Sequence, residues 1–168
     1  MIKAALAIAI GISAISATSY GTNEWSVNAT SCVPDAGTIQ KNLHLGTGGT
    51  VKFASGKTGD IVLYCPVSFK LGFTPSILGF VYYDDTSAAG NHVTVGLIKM
   101  VMDTGLITSI VTVDSDSGPV SSGGNANHVA HEFADTYDPT HFAYYLRIDV
   151  IRKSTTANET IYGVALQD

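Results

Sequence analysis

The sequence predicts an all-β protein that folds as a two-sheet antiparallel β-sandwich, in the form of a jelly roll. After the first 20 residues no segment has the spacing of an amphipathic helix. Short runs rich in Val, Ile, Thr and Tyr instead alternate with clusters of Gly, Asp, Asn and Pro. About ten such runs in one chain cannot form a single sheet without exposing an apolar face, so we expect two sheets packed face to face.

The clearest strand is FAYYLRIDVIR, at 142–152. Phe142, Tyr144, Leu146, Ile148 and Val150 share one face, and Tyr145, Arg147 and Asp149 share the other. The first set is therefore expected in the core and the second at the surface. The predicted strands, in chain order, are 25–30, 39–45, 50–54, 60–65, 77–83, 92–102, 106–113, 129–134, 142–152 and 160–166.

Three connections between these strands have the composition of hairpin turns. Asp103-Thr104-Gly105 separates two long apolar strands, so 92–102 and 106–113 are predicted to pair. The glycine-rich stretch 46–49 predicts a second hairpin. A third is predicted near 154–158, which would place the C-terminal strand beside 142–152.

The N-terminus has the three parts of a secretory signal peptide. Lys3 supplies the positive charge, residues 4–17 form an apolar run, and Ala17-Thr18-Ser19 provides small residues for cleavage. The apolar run is shorter than the roughly 18 to 20 residues that a bilayer span needs. We therefore expect residues 1–19 to be the signal peptide, residues 20–168 to form a single domain, and the protein to be secreted or held at the cell surface, with the periplasm as another possible location.

Cys32 and Cys65 are the only cysteines of the chain. An even number of cysteines in an exported chain predicts a disulfide, although two buried free thiols would fit the sequence as well. The spacing is not that of a redox-active Cys-x-x-Cys pair. Asn28-Ala29-Thr30 and Asn158-Glu159-Thr160 are N-glycosylation sequons, which matter only in a host with that machinery.

The low charge of the chain limits which classes of binding partner we expect. Charged residues make up 14% of the chain and the net charge is −5, with no cluster of Lys and Arg. Nucleic acid binding requires such clusters to contact phosphates, and anionic membranes require a basic face. We therefore expect neither a nucleic acid partner nor a membrane span after processing.

Several segments together resemble a group of small exported bacterial β-sandwich proteins whose roles are largely uncharacterised. These segments are SCVPD, GDIVLYCPV, FVYYDD, YYLRIDVIRK and IYGVAL, which span nearly all of the predicted mature chain. The resemblance implies the sandwich fold and export. It implies no catalytic residues.

The motifs that suggest enzyme chemistry are incomplete. Ser55-Gly56-Lys57-Thr58 resembles the end of a P-loop, but position 51 is Val and a strand follows. No Gly-x-Ser-x-Gly elbow occurs. His128 and His131 lie three apart on a predicted strand, so they should point to opposite faces and cannot share an ion. We therefore expect no catalytic site and a protein that is not an enzyme.

Four carboxylates are predicted to meet at one end of the sandwich. Asp84 and Asp85 follow one strand, and Asp114 and Asp116 follow another that runs in the same direction. Calcium prefers oxygen ligands from loops, so this end is a candidate calcium site, and apart from calcium we expect no cofactor. The alternative is that Asp here serves turn formation alone.

The function that remains is non-enzymatic. Low charge, many small residues and one disulfide fit a secreted or cell-surface protein with a structural, assembly or adhesion role, in which copies of the chain self-associate. The alternative is a carbohydrate-binding, lectin-like module whose exposed aromatic rings stack on a surface glycan, with Trp25 and Tyr145 as candidate ligand-binding residues. A secreted hydrolase built on paired carboxylates fits less well.

Overall fold

The computed structural model describes residues 25–38, 42–69, 74–85 and 90–168. The expected signal peptide, residues 1–19, lies outside this part of the chain, as does the start of the predicted strand at 39–45. Within the described ranges, no helix has the length and hydropathy needed to cross a bilayer.

Eleven strands are described, and all of their pairings are antiparallel. Short 3₁₀ turns lie at Ala29–Ser31 and Ser115–Ser117. The strands are β1 Trp25–Asn28, β2 Val33–Pro34, β3 Leu43–Leu45, β4 Val51–Phe53, β5 Gly59–Pro66, β6 Ile77–Asp84, β7 His92–Val101, β8 Ile107–Asp114, β9 Asn127–Glu132, β10 Phe142–Arg152 and β11 Glu159–Gln167.

The strands form two sheets in a jelly-roll arrangement. One sheet has the order β3-β4-β11-β6-β9, with β1 also paired to β11, and the other has the order β2-β5-β10-β7-β8. From β4 to β11 the chain changes sheet at every connection except the β7–β8 hairpin. This is the double Greek key of a jelly roll, so the predicted fold class is confirmed.

The core lies between the two inner faces and follows the alternation of each strand. In β10 the residues Tyr144, Leu146, Ile148 and Val150 are buried, as predicted, while Arg147 is exposed. The facing sheet supplies the large side chains of β6 and β11 that are fully buried. These are Leu78, Phe80, Tyr82, Ile161 and Leu166.

Two of the three predicted hairpins are confirmed. β7 pairs with β8 around the turn at 102–106, and β3 pairs with β4 around the glycine-rich stretch. The third prediction is wrong, because β10 pairs with β5 and β7 whereas β11 belongs to the other sheet. Residues 153–158 form an arch between the sheets, in which Arg152 donates hydrogen bonds to the carbonyl oxygens of Ser154 and Thr155.

Cys32 and Cys65 form the predicted disulfide. Cys32 follows the first 3₁₀ turn, and Cys65 lies in β5, whose residues Tyr64 and Leu63 pair with β2. The cross-link therefore fastens the N-terminal segment, which begins in the six-stranded sheet, to the five-stranded sheet.

Candidate functional site

Two tyrosines lie together on the outer face of the five-stranded sheet. Tyr64 is on β5 and Tyr145 on the adjacent β10, and both are partly exposed. Their ring centroids are 5.7 Å apart and the rings meet edge to face at 70°. This geometry is favourable for aromatic pairs, so each ring holds the other in place at the surface.

An ion pair continues this face along β10. Arg147 donates from Nε to Asp149 Oδ2 at 2.9 Å and from Nη2 to Oδ1 at 2.8 Å. The hydrogen bonds that Arg147 donates to Asp149 raise the pKa of Arg147 above its ordinary value. The two side chains are 49% and 21% exposed, so their remaining polar groups face solvent. We call Tyr64, Tyr145, Arg147 and Asp149 the tyrosine platform.

The neighbouring strand β7 borders the platform on one side. Ile98 lies opposite Tyr145, Gly96 opposite Arg147 and Thr94 opposite Asp149. Gly96 is buried, and a methyl group on it would meet the side chain of Ile98 at 3.5 Å. Burial and the nearby Tyr64 raise the pKa of Tyr145, which therefore keeps its hydroxyl proton at neutral pH. The platform thus offers two aromatic rings set edge to face, their hydroxyl groups and a charge-balanced pair on one sheet face.

Trp25, the other aromatic residue singled out in the sequence, has different surroundings. Its backbone lies opposite Leu166 of β11, an inner-face position, and its side chain packs partly buried against the core. Of the two candidate ligand-binding residues, Tyr145 is therefore the one on an open sheet face. Tyr64, which sequence reasoning missed, has an outward position between the buried residues Leu63 and Cys65.

The structure brings the four predicted carboxylates to the same end of the sandwich but gives them different partners. Asp84 is 3% exposed and accepts a hydrogen bond from Ser115 Oγ at 2.8 Å. Asp85 accepts from the backbone and side-chain nitrogens of Asn158, at 2.9 and 2.7 Å. Asp114 caps the 3₁₀ turn by accepting from the backbone nitrogen of Asp116 at 2.9 Å.

His92 joins two of these carboxylates. One ligand atom from each of His92, Asp114 and Asp116 lies within 4.8 Å of the others. The predicted calcium site did not include His92, although the predicted hairpin contained the signal: its register pairs Thr94 with Asp114 and so brings His92 towards the residues that follow β8.

Glu159 is a second residue of this end that the sequence did not reveal. It is 1% exposed, lies opposite Asp84 in the pairing of β11 with β6, and makes no hydrogen bond through either carboxylate oxygen within the described residues. Arg152 Nε is 3.9 Å from its Oε2. Burial, with the charge of Asp84 second, raises the pKa of Glu159 to about 7.

A shallow cleft lies on the outer face of the six-stranded sheet. Its volume is about 280 Å³, and Gly79, Gly163 and Ala165 form the floor. Ser26 and His128 contribute to the lining. A methyl group on Gly163 would come within 2.9 Å of the Val27 carbonyl oxygen, so this face is shaped by close backbone packing.

No protein-family model and no curated protein matches this chain. Among solved structures it is similar to a xylan-binding module, CBM15, at 12% identity and a TM-score of 0.49, over 87% of this chain and 97% of the other. It is similar to the low-affinity xylan-binding module CBM86 of Roseburia intestinalis at 10% identity and 0.42, covering 86% and 96%.

The VP2 subviral particle of infectious bursal disease virus is a third structure of similar fold, at 13% identity and a TM-score of 0.42, covering 96% of this chain and 37% of that one. Likeness at this distance concerns the fold alone, so any function must be argued from this chain's own surface.

Proposed function

We propose that this protein is an exported, non-enzymatic glycan-binding protein and that the tyrosine platform is its binding surface. The observation that supports the proposal is the placement of the Tyr64–Tyr145 pair directly beside the Arg147–Asp149 pair on one open sheet face. Sugar rings have apolar faces that pack on aromatic rings and a rim of hydroxyl groups that both donate and accept hydrogen bonds. The platform supplies both kinds of contact within one surface.

The charges of the platform favour a neutral glycan. The guanidinium group of Arg147 is already balanced by Asp149 through a bidentate contact, so an anionic sugar would have to compete with a carboxylate held in place on the same strand. Neutral hydroxyl groups can bind to the outward atoms of both side chains without breaking the pair. We therefore infer that a neutral polysaccharide is the ligand class.

Export and domain organisation complete the proposal. The disulfide fits a protein that matures in an oxidising compartment. The proposed signal peptide, residues 1–19, would deliver the domain formed by residues 20–168 to the outside of the cell or to its surface. Glycan binding there would itself provide adhesion.

The test is affinity electrophoresis and isothermal titration calorimetry with neutral and anionic polysaccharides, using wild-type protein and Tyr145→Ala. We expect roughly tenfold weaker binding in the variant, because losing a ring that packs on the sugar removes a contact worth on the order of 1.4 kcal/mol, which corresponds to a factor of ten. Tyr83→Ala is the matched control, since Tyr83 is a partly exposed tyrosine on the other sheet. The proposal fails if no polysaccharide is retained, or if both variants lose binding equally.

Self-association is a second candidate function, favoured by one edge of the five-stranded sheet. Within the described residues no strand pairs with the outer edge of β8, and the tip of the β7–β8 hairpin exposes Met102, Leu106 and Ile107 by 51%, 64% and 57%. Unpaired edges and apolar tips are where copies of a chain can add strands. Light scattering across a concentration series measures this directly: a mass that rises with concentration supports assembly, and a constant monomer mass contradicts it.

A further inference from the structure

We propose that His92, Asp114 and Asp116 form a binding site for a divalent first-row transition metal ion such as zinc. One ligand atom from each residue already lies within 4.8 Å of the other two. Ligand bonds to zinc are about 2.0–2.2 Å long, so small side-chain rotations would bring all three atoms onto one ion. The site lies at one end of the sandwich, where Thr94 separates Asp114 from Asp149 of the tyrosine platform, and its metal binding does not depend on the proposed glycan binding.

Buried hydrogen bonds hold the backbone of this site in place. Ser115, between the two aspartates, is 2% exposed. Its hydroxyl oxygen accepts from the backbone nitrogen of Val93 at 3.0 Å and donates to Asp84 Oδ2 at 2.8 Å. The turn that carries the aspartates is thereby fixed to the residue that follows His92, so the backbone positions of the three ligands are set while their side chains can still rotate.

His92 provides the observation that points to a ligand. Its Nδ1 atom is buried and has no hydrogen-bond partner within the described residues. A buried imidazole nitrogen without a hydrogen-bond partner is energetically costly. In a metal-bound histidine one ring nitrogen binds the ion, and the other normally donates a hydrogen bond. A metal ion at this cluster gives the ring the partner that the protein itself does not supply.

The capping role of Asp114 is compatible with metal binding. Its Oδ1 accepts from the Asp116 backbone and its Oδ2 from Thr94 Oγ1 at 3.4 Å. Each carboxylate oxygen has a second lone pair, so either can still coordinate an ion. Asp116 is exposed and can rotate towards the site.

The donor set also decides which metal the site prefers. One imidazole and two carboxylates suit zinc and its neighbours in the first transition row, whereas calcium requires six to eight oxygen ligands. Asp84 and Asp85, which the sequence placed in a calcium site, are bonded to Ser115 and Asn158 instead. We therefore infer a transition metal with three protein ligands and open positions for water or a further ligand.

The experiment is calorimetric titration of tag-free, EDTA-treated protein with zinc and, separately, with calcium. We expect one zinc ion per chain and binding at least tenfold weaker in His92→Gln and in Asp116→Asn. His44→Gln and Asp103→Asn are matched controls, because both residues are exposed and lie outside the cluster. Cobalt serves as a spectroscopic probe, since its visible absorption reports the ligands and geometry around the ion and should change when His92→Gln removes the imidazole.

Three outcomes would overturn the proposal. They are the absence of zinc binding, zinc binding that survives both cluster variants, and binding that is lost in His44→Gln or His128→Gln instead. Asp116 is exposed, so Asp116→Asn is expected to fold even if His92→Gln does not, and thermal unfolding of each variant checks this.

Discussion

The tyrosine platform differs from the end of the sandwich that carries Glu159 and the four aspartates, which we call the polar end, in how its charged side chains are paired. On the platform, Arg147 and Asp149 are solvent-accessible and satisfy each other through two short contacts. At the polar end, Glu159 is buried, lies opposite another carboxylate, and has its nearest cation at 3.9 Å. Charged side chains that are paired at the surface can therefore bind a ligand at little energetic cost, whereas a buried carboxylate without a close cation affects the free energy of unfolding.

The largest effect expected from this difference is on the pH dependence of stability. The folded-state pKa of Glu159 is raised to about 7, above its ordinary value of 4.5, so between these values the folded protein holds a proton that the unfolded chain releases. Stability contributed by protonated Glu159 is therefore fully present below about pH 4.5 and is lost as the pH rises through about 7. The loss is at most on the order of 3 kcal/mol.

Glu159→Gln tests this expectation. The variant keeps the shape of the protonated acid, so it should be more stable than wild type at pH 8 and nearly equal to it at pH 4. Chemical denaturation at several pH values measures both differences. Glu132→Gln is the control, because Glu132 is exposed. An unchanged pH profile in Glu159→Gln would contradict this expectation.

A smaller effect on stability is expected from replacing Asp149, the acid of the ion pair on the platform. Asp149→Asn should lower the free energy of unfolding by less than about 1 kcal/mol, because exposed ion pairs contribute little. Its effect on binding should be a change of selectivity, since Arg147 is released to contact anionic sugars. Calorimetry with a neutral and a uronate-containing polysaccharide measures the ratio of affinities. A ratio equal to that of wild type would contradict the argument that the Arg147–Asp149 pair favours neutral ligands.

The fold class was predictable from the sequence because it depends on local patterns, namely the alternation of apolar and polar residues within a strand and the composition of the turns. Alternation in FAYYLRIDVIR assigned the buried and exposed residues of β10, and Asp103-Thr104-Gly105 predicted the β7–β8 hairpin. The arch at 153–158 was misjudged because polar turn residues have the same composition whether a chain reverses within one sheet or crosses to another. The two cases are distinguished only by how β10 and β11 pair in the folded protein.

The candidate sites were less predictable because they depend on pairing between distant strands. Tyr64 joins Tyr145 only through the register of β5 with β10, and Glu159 meets Asp84 only through that of β11 with β6. His92 was accessible in principle, since the predicted hairpin already placed it near Asp114. The four aspartates do lie at one end of the sandwich, but their hydrogen bonds depend on buried neighbours such as Ser115.

The position of the disulfide has a consequence for the order in which the chain assembles. β10 and β11 lie in the middle of the two sheets, yet they are the last two strands in the sequence. A chain that enters an oxidising compartment from its N-terminus would therefore present Cys32 and Cys65 before either sheet has its central strand. The edges of β5, β6 and β7 that pair with β10 and β11 would stay unpaired until then. Long-range pairing of this kind is slow and exposes the chain to aggregation. An early cross-link between residues 32 and 65 would keep the N-terminal segment beside β5 throughout this interval, and it would do so covalently.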